Sequence, residues 1–173
     1  MKETINDILT RRSCKKYKPD MISDEQIKTI VDCALAAPTG RNRQASIILV
    51  IKDKATRDAL SRANASVLGA ETDPFYGAPV VLVVLAKKDV NTYVYDGSVT
   101  AENILLAAHA IGLGACWIHR AREVFETDEY KALLQKIGVE GEYEGIANCT
   151  IGVPAWDELP APLKRNDNRV FYI

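Results

Sequence analysis

The stretch APVVLVVLAK, residues 78–87, constrains the fold most, because it is a continuous apolar run of strand length. Its valines and leucines favour a β-strand, and the lack of apolar and polar alternation indicates that both faces of the strand are covered. Covering both faces requires other elements above and below the sheet. The chain is therefore predicted to be an α/β or α+β protein with helices on both sides of a sheet.

Helical and extended patterns alternate along the rest of the 173-residue chain. The apolar spacing and end signals predict helices over residues 3–12, from a Ser23–Gln26 capping box to Pro38, and over 54–64 and 98–112. A further helix is predicted in the segment 128–138, with Gly138 at its C′ position. Strands are predicted over residues 46–53, 113–118 and 145–154. Residues 66–77 show no period and are predicted to form a mobile loop. Helix 98–112 is apolar almost all round, which indicates burial in a core or in a subunit interface.

Length and charge exclude several classes of protein. A chain of 173 residues fits one domain, residues 1–173, and its net charge of −1 argues against a dedicated nucleic-acid binder. No apolar run reaches the ~18 residues of a membrane helix, and MKETINDILTRR lacks the apolar core of a signal peptide. We therefore expect a cytoplasmic protein without a membrane partner. The four cysteines, which form no C-x-x-C pair, are expected to be buried, reduced thiols rather than metal ligands: Cys14, Cys33, Cys116 and Cys149.

Common catalytic motifs are absent from the sequence. There is no P-loop, and GLGACW has Trp117 where a dinucleotide fingerprint needs its third glycine. Only two histidines occur, His109 and His119, and the first lies in the apolar helix, where a hydrogen-bonded core histidine is expected. If the protein is an enzyme, a bound cofactor is expected to perform its chemistry.

Three polar segments follow apolar elements and carry groups suited to an anionic, heterocyclic ligand. In Arg11–Lys15, guanidinium, hydroxyl and ammonium groups match phosphate oxygens. In Pro38–Gln44, two side-chain amides supply donors and acceptors for a heterocycle edge, and Gly40 permits a tight turn. The segment Pro162–Asn166 adds two further cations. Plain solvated surface, or an anionic-ligand or nucleic-acid binding module, would also account for such segments.

The ordered set RRSCKKY, AAPTGRNRQ, DGSVTAENILLAAHAIGLGACWI, IGVP and a basic tail resembles the FMN-dependent nitroreductase family over nearly the whole chain. The resemblance implies an α+β, three-layer α/β/α sandwich with a mixed, mainly antiparallel sheet. It also implies an intertwined homodimer with FMN bound in two sites along the interface. The tail, residues 154–173, is then expected to contact the partner subunit.

The resemblance carries cofactor-binding roles to individual positions. It assigns the flavin phosphate to the Arg11–Ser13 segment, the pyrimidine edge of the ring to Lys15, and the closing phosphate clamp to the tail, with Arg169 as an alternative to Arg165. Residues 118–120 match a strand end that faces the ring, with a backbone role for His119. Pro38, Thr39 and Gly40 resemble a segment that the other subunit contributes to the site. The complete set is Arg11, Arg12, Ser13, Lys15, Pro38, Thr39, Gly40, Asn42, Gln44, Ile118, His119, Arg120, Lys164 and Arg165.

The activity implied is hydride transfer from NADH or NADPH to the flavin, and then to a small-molecule acceptor such as a nitroaromatic or a quinone. The flavin performs the chemistry, so no catalytic side chain and no metal are implied. Relatives of this fold also support reductive dehalogenation or flavin breakdown, and these stay open. Ala45 and Ser46 replace the proline and aromatic residue that often follow the family's glutamine, and residues 62–77 are brief, so the site cover is expected to differ.

Overall fold

The computed structural model describes residues 2–156 and 158–173. Over this part of the chain, six α-helices and four strands follow one another. Their bounds, in chain order, are α1 Glu3–Thr10, α2 Asp24–Leu35, β1 Ser46–Ile51, α3 Lys54–Leu68, β2 Val80–Lys87, α4 Tyr93–Ala110, β3 Gly114–Ile118, α5 Ala121–Phe125, α6 Asp128–Lys136 and β4 Tyr143–Gly152. A short 3₁₀ turn, Gly40–Asn42, precedes β1.

The sheet has the strand order β1-β2-β4-β3, so the apolar run of the sequence forms an interior strand as predicted. The three ladders of the described sheet are all antiparallel. Parallel pairing within the described residues occurs at an isolated bridge between Ser13 and Ala115. A register shift between Val84 and Leu85 interrupts the β2–β4 ladder, where β4 contains Gly145.

Successive side chains of β2 point to opposite faces of the sheet. Because these side chains are apolar, both faces are buried, and helices cover both. Val80, Leu82 and Val84 join a core beneath α2 and α4, which contribute Ile30 and Ile104. The alternate side chains of β2, Val81, Val83 and Leu85, face the second core. Helices α3, α5 and α6 cover this core and contribute Leu60, Phe125 and Leu134. The predicted α+β, three-layer α/β/α architecture is confirmed.

Several element boundaries differ from the predictions. The Ser23–Gln26 capping box is confirmed, and Gly138 follows α6 with a left-handed φ of 82°. In contrast, α1 ends at Thr10, α3 continues to Leu68, α4 begins five residues early at Tyr93, and α5 was not predicted. Helix α5 is only five residues long, too short for its apolar spacing to be recognised in the sequence.

The loop predicted over residues 66–77 was wrong for its first three residues, which belong to α3. Helix α3 takes up residues 66–68, and the Asp73 carboxylate organises the following turn. It accepts hydrogen bonds from Arg57 Nη2 at 2.5 Å, Ser61 Oγ at 2.5 Å, and the backbone amides of Phe75 and Gly77 at 2.9 and 2.8 Å. A carboxylate with four donors fixes a segment whose sequence has no period.

The predictions for cysteine and histidine were correct in part. Cys14, Cys116 and Cys149 are buried, but Cys33 is exposed, which contradicts the expectation of four buried thiols. His109 forms its expected hydrogen bond, because its Nε2 lies 2.8 Å from Thr10 Oγ1, yet it is only half-buried at the edge of α4. It joins α1 to α4 rather than lying in the core.

Candidate functional site

Residues 11–18, here called the cationic strip, form an extended segment beside β3. The prediction that the helix continues to residue 12 was wrong, because α1 ends at Thr10. The isolated bridge of Ser13 to Ala115 is reinforced by Cys14 N, which donates to the Ala115 carbonyl at 2.9 Å. Further along, Lys18 N donates to Val153 O at 2.8 Å. Backbone pairing on both sides therefore fixes the direction of the side chains that the sequence assigns to the flavin phosphate.

The Arg11 side chain carries a donor that the described residues leave unsatisfied. Its Nη1 is buried without a hydrogen-bond partner among those residues, and its Nε lies 3.8 Å from a carboxylate oxygen of Glu102. That separation is an ion pair at long range rather than a hydrogen bond. A buried guanidinium donor without an acceptor is costly, and an anion such as a phosphate group would satisfy it.

The neighbouring Arg12 is used differently. Its Nη1 donates to the carbonyls of Leu9, Thr10 and Arg11 at 2.8–3.0 Å, and its Nε donates to Pro160 O at 3.1 Å. These bonds end α1 and attach the start of the tail to the body of the protein. The structure therefore gives Arg12 a structural function that the sequence did not indicate, in which its Nη1 and Nε donate to the protein's own backbone.

Three of the predicted residues surround one buried thiol, Cys116. Burial raises the pKa of this thiol, while a Ser13 hydrogen bond and the nearby Lys15 and Arg11 cations lower it, and burial prevails. The thiol is therefore protonated at neutral pH. Its surroundings show that Arg11, Ser13 and Lys15 converge on one region beside β3.

The loop Pro38–Gln44 is tightly folded against α4. Gly40 N donates to Asp96 Oδ1 at 3.0 Å, and a β-carbon on Gly40 would overlap the Thr92 side chain. Asn42 Oδ1 accepts a hydrogen bond from Gln44 Nε2 at 3.1 Å, and both residues have left-handed φ angles, 54° and 49°. Both amides are exposed, as is Pro38, whereas Thr39 and Gly40 are half-buried.

Both the loop and the cationic strip contact α4. The loop contacts Asp96 near the beginning of the helix, whereas Arg11 of the strip lies 3.8 Å from Glu102, six residues further on and therefore about 9 Å along the helix axis. Among the described residues, no hydrogen bond or ion pair joins the loop to the strip within one chain.

The end of β3 is held by two buried amides. Asn64 Nδ2 and Asn148 Nδ2 both donate to the His119 carbonyl, at 3.0 and 3.4 Å, and Arg120 Nε donates to Asn64 Oδ1 at 3.1 Å. Arg120 has a left-handed φ of 74°. These bonds fix the backbone at residues Ile118–Arg120, while the imidazole of His119 is exposed. The sequence did not indicate either asparagine, because each lies in an otherwise regular element.

The predicted clamp in the tail is not assembled within this chain. Lys164 and Arg165 are exposed, and so is Arg169, and none of the three has a hydrogen bond or ion pair with the described residues. The choice between Arg165 and Arg169 stays a prediction.

Over the described part of the chain, no helix is long and apolar enough to span a membrane. In residues 2–156 and 158–173, no group of three or more His, Cys, Asp or Glu could hold a metal ion.

Comparison with known proteins decides the family. Residues 8–153 match the family model described as the nitroreductase family. The chain belongs to the nitroreductase family. A relative from Archaeoglobus fulgidus, provisionally named an NADH dehydrogenase/NAD(P)H nitroreductase, is 31% identical over 158 residues, which cover 89% of this chain and 87% of the relative. The NADPH-flavin oxidoreductase of Vibrio harveyi is 29% identical over 151 residues, 80% of this chain and 63% of that protein.

Solved structures of nitroreductases share this fold along the whole chain. A nitroreductase with bound FMN from Bacteroides fragilis superposes with a TM-score of 0.89 at 19% identity, covering 100% of both chains. An FMN-dependent nitroreductase from Clostridium difficile superposes with a TM-score of 0.86 at 26% identity, covering 99% of each chain. The resemblance read from the sequence motifs is therefore confirmed, for the family and for the fold.

Proposed function

We propose that this nitroreductase-family protein is an FMN-dependent oxidoreductase that uses NADH or NADPH to reduce a nitroaromatic, a quinone or a similar small acceptor. The observation that carries the proposal is the buried Arg11 Nη1, which lacks an acceptor among the described residues beside Ser13 and Lys15. A flavin phosphate would supply that acceptor. The donor set of guanidinium, hydroxyl and ammonium groups fits such an anion.

The residues present divide the work of holding FMN. Arg11 and Ser13 would bind the phosphate with Lys164 and Arg165, while Arg12 would keep the strip and the tail in place. Lys15 would place a positive charge at the pyrimidine edge of the ring, where a cation stabilises negative charge. Pro38, Thr39 and Gly40 would position Asn42 and Gln44 for the ring edge, and Ile118, His119 and Arg120 would offer backbone groups fixed by Asn64.

When bound, FMN supplies the redox chemistry by accepting a hydride and passing electrons on. The protein contributes binding, orientation and charge. None of the predicted site residues is assigned a proton transfer, which agrees with the half-buried, hydrogen-bonded position of His109 and with the backbone role of His119. The reduced, largely buried cysteines also agree with a cytoplasmic location.

We further propose that residues 1–173 form a single domain that functions as a homodimer, with the tail, residues 154–173, lying on the partner. Two observations support this. Among the described residues of one chain, no hydrogen bond or ion pair joins the loop at Gly40 to the strip at Arg11, although both contact α4. A second copy would supply the missing half. In addition, large apolar side chains are exposed on α1, α4 and the tail, including Ile8, Leu9, Tyr95, Phe171, Tyr172 and Ile173.

The proposed activity is tested by spectroscopy of the purified protein. We expect a yellow protein whose flavin absorbance is bleached by NADH or NADPH under anaerobic conditions and restored by a nitroaromatic or a quinone. Release of the chromophore by denaturation and its identification by mass would establish FMN. A colourless protein that takes up no added FMN would contradict the proposal.

A further inference from the structure

The turn before β2 presents an aromatic side chain at the surface in a strained conformation. Tyr76 has a left-handed φ of 55°, and its side chain is 39% exposed. Bulky aromatic residues rarely adopt this conformation, and where they do, the surrounding structure must enforce it. The adjacent Phe75 is fully buried in the second core, beneath the Arg57 guanidinium at 5.5 Å from its ring centroid.

Asp73 enforces the conformation of Tyr76 from both sides along the chain. Its carboxylate accepts hydrogen bonds from the amides of Phe75 and Gly77, and its carbonyl accepts one from Tyr76 N at 3.2 Å. Arg57, itself buried, donates to the same carboxylate and to Ala78 O at 3.1 Å. The turn is thus anchored to α3 and to the start of β2, which leaves the tyrosine ring pointing outward.

The exposed ring lies next to the cationic strip. Lys15 Nζ is 6.0 Å from the Tyr76 ring centroid, at the outer limit of a cation–π contact. Lys15 is also one of the three residues that converge on Cys116. On the other side, Pro79 packs so closely on Gly152, beside Tyr17 of the strip, that a β-carbon on this glycine would overlap it. The turn and the strip are therefore one continuous surface.

From this arrangement we propose that Tyr76 is a specificity-determining residue that forms an aromatic wall of the acceptor site, with Asp73 as its positioning residue. The inference rests on the proposed function and assigns to Tyr76 the contact that favours a planar acceptor over a compact non-aromatic one. Aromatic rings attract one another in offset or edge-to-face arrangements, with centroids about 4.5–7 Å apart. A fixed ring beside Lys15 offers such contacts to a planar acceptor and none to a compact anion.

The experiment compares two acceptors in four proteins loaded with FMN: wild type, Tyr76→Phe, Tyr76→Ala and Asp73→Asn. Menadione is the planar aromatic probe and ferricyanide is the non-aromatic control. For Tyr76→Ala we expect kcat/KM for menadione to fall about tenfold, the size of one lost ring contact. Ferricyanide reduction should stay within twofold of wild type. Tyr76→Phe, which keeps the ring, should resemble wild type with both acceptors.

Asp73→Asn keeps the shape of the side chain but removes its charge, so the tyrosine should be less firmly placed. We expect an intermediate fall of about threefold in the menadione to ferricyanide ratio of kcat/KM. A general loss of structure would lower both activities together and leave the ratio unchanged. That result would overturn the positioning role of Asp73.

A binding measurement supplies a readout apart from turnover. Menadione is titrated into the oxidised, FMN-loaded proteins without NADH, and its Kd is read from the change in flavin absorbance. We expect the Kd to rise about tenfold in Tyr76→Ala, with the Kd for FMN unchanged. Equal affinities for menadione in wild type and Tyr76→Ala, or no binding to wild type, would overturn the aromatic wall alone. A wild-type protein that takes up no FMN would overturn the proposed function as well.

Discussion

Two adjacent arginines show how differently the same side chain can be used. Arg12 donates to four backbone carbonyls, whereas the buried Nη1 of Arg11 finds no acceptor among the described residues. The resemblance placed both in the cofactor-binding set, because sequence motifs do not reveal which guanidinium donates to the backbone of its own chain. It also gave no indication of Asn64 and Asn148, whose importance arises only where β3 ends beside them.

Replacing Arg11 by Gln should weaken FMN binding without destabilising the flavin-free protein. A charge-assisted hydrogen bond contributes about 1.5–3 kcal/mol, so we expect the Kd for FMN to rise roughly 10–100-fold. Equilibrium titration of flavin fluorescence measures this change, and urea unfolding measures stability. The exposed Arg62 on α3 provides the control, since Arg62→Gln should leave the Kd unchanged. Equal Kd values for Arg11→Gln and wild type would remove Arg11 from the phosphate site.

The stabilising contribution of Asp73 should depend on pH. Burial raises the pKa of its carboxyl, but the hydrogen bonds from Ser61, Arg57 and two backbone amides outweigh burial, so the pKa lies below its ordinary value. A group with a depressed pKa stabilises the fold fully above its unfolded pKa of about 3.9, and this stability is lost as the pH falls through the folded pKa. Protonation of Asp73 should therefore loosen the turn that carries Tyr76.

We expect Asp73→Asn to lower the free energy of unfolding by about 1–2 kcal/mol at pH 7. The difference from wild type should narrow as the pH is lowered below about 4. Urea unfolding at pH 7, and at the lowest pH at which both proteins stay folded, gives the two values. A difference that does not change with pH would show that the charge of Asp73 is not what stabilises the turn.

At the scale of elements, the sequence was most informative where local pattern and burial agree. The β2 run was predicted because both of its faces lie in a core, which makes it continuously apolar, and α2 was predicted from its capping box and its single apolar face. The first five residues of α4, residues 93–97, and the whole of α5 were not predicted as helix. Their helical state depends on contacts made elsewhere, including the packing of α5 on β4. Residues 69–77 were assigned to a mobile loop because the side chains that fix them lie in α3.

The contact between α5 and β4 offers a test at this scale. A β-carbon on Gly145 would overlap the backbone carbonyl of Ala121, which cannot move away without displacing α5. We expect Gly145→Ala to lower the free energy of unfolding by about 3 kcal/mol, the upper part of the range for overpacking. Thermal or urea unfolding measures it.

Gly138→Ala is the matched control, because Gly138 has a left-handed φ of 82° but nothing within 4 Å of the added carbon. Its cost should be limited to the backbone conformation, about 1 kcal/mol. If the two substitutions destabilised the protein equally, close packing of α5 on β4 would not be the reason for glycine at position 145.

At the scale of the whole molecule, the tail is the part of the chain with the fewest contacts to the rest of its own fold. Arg12 attaches the tail at Pro160, beyond which every residue is exposed, including the apolar Val170, Phe171 and Tyr172. The sequence motifs led to the family and its sandwich fold. The expected contact of the tail with a partner subunit stays a proposal, and beyond Pro160 the tail forms no hydrogen bond or ion pair with the described residues of its own chain.

Deleting residues 161–173 should weaken both dimerisation and FMN binding while leaving the helices and sheet intact. The deletion keeps the Arg12–Pro160 contact but removes Lys164, Arg165 and the apolar end. We expect a native mass shifted toward the monomer, a Kd for FMN raised at least tenfold, and an unchanged far-UV circular dichroism spectrum. A deleted protein that is still dimeric and binds FMN with wild-type affinity would contradict the placement of the tail on the partner.

The most direct test of the central claim is the FMN stoichiometry of the native particle. Flavin-free protein is titrated with FMN, and bound flavin and particle mass are measured on the same sample by native mass spectrometry. The account predicts a particle of two chains that takes up two FMN molecules. A single chain that binds FMN fully, or a two-chain particle that binds none, would contradict it.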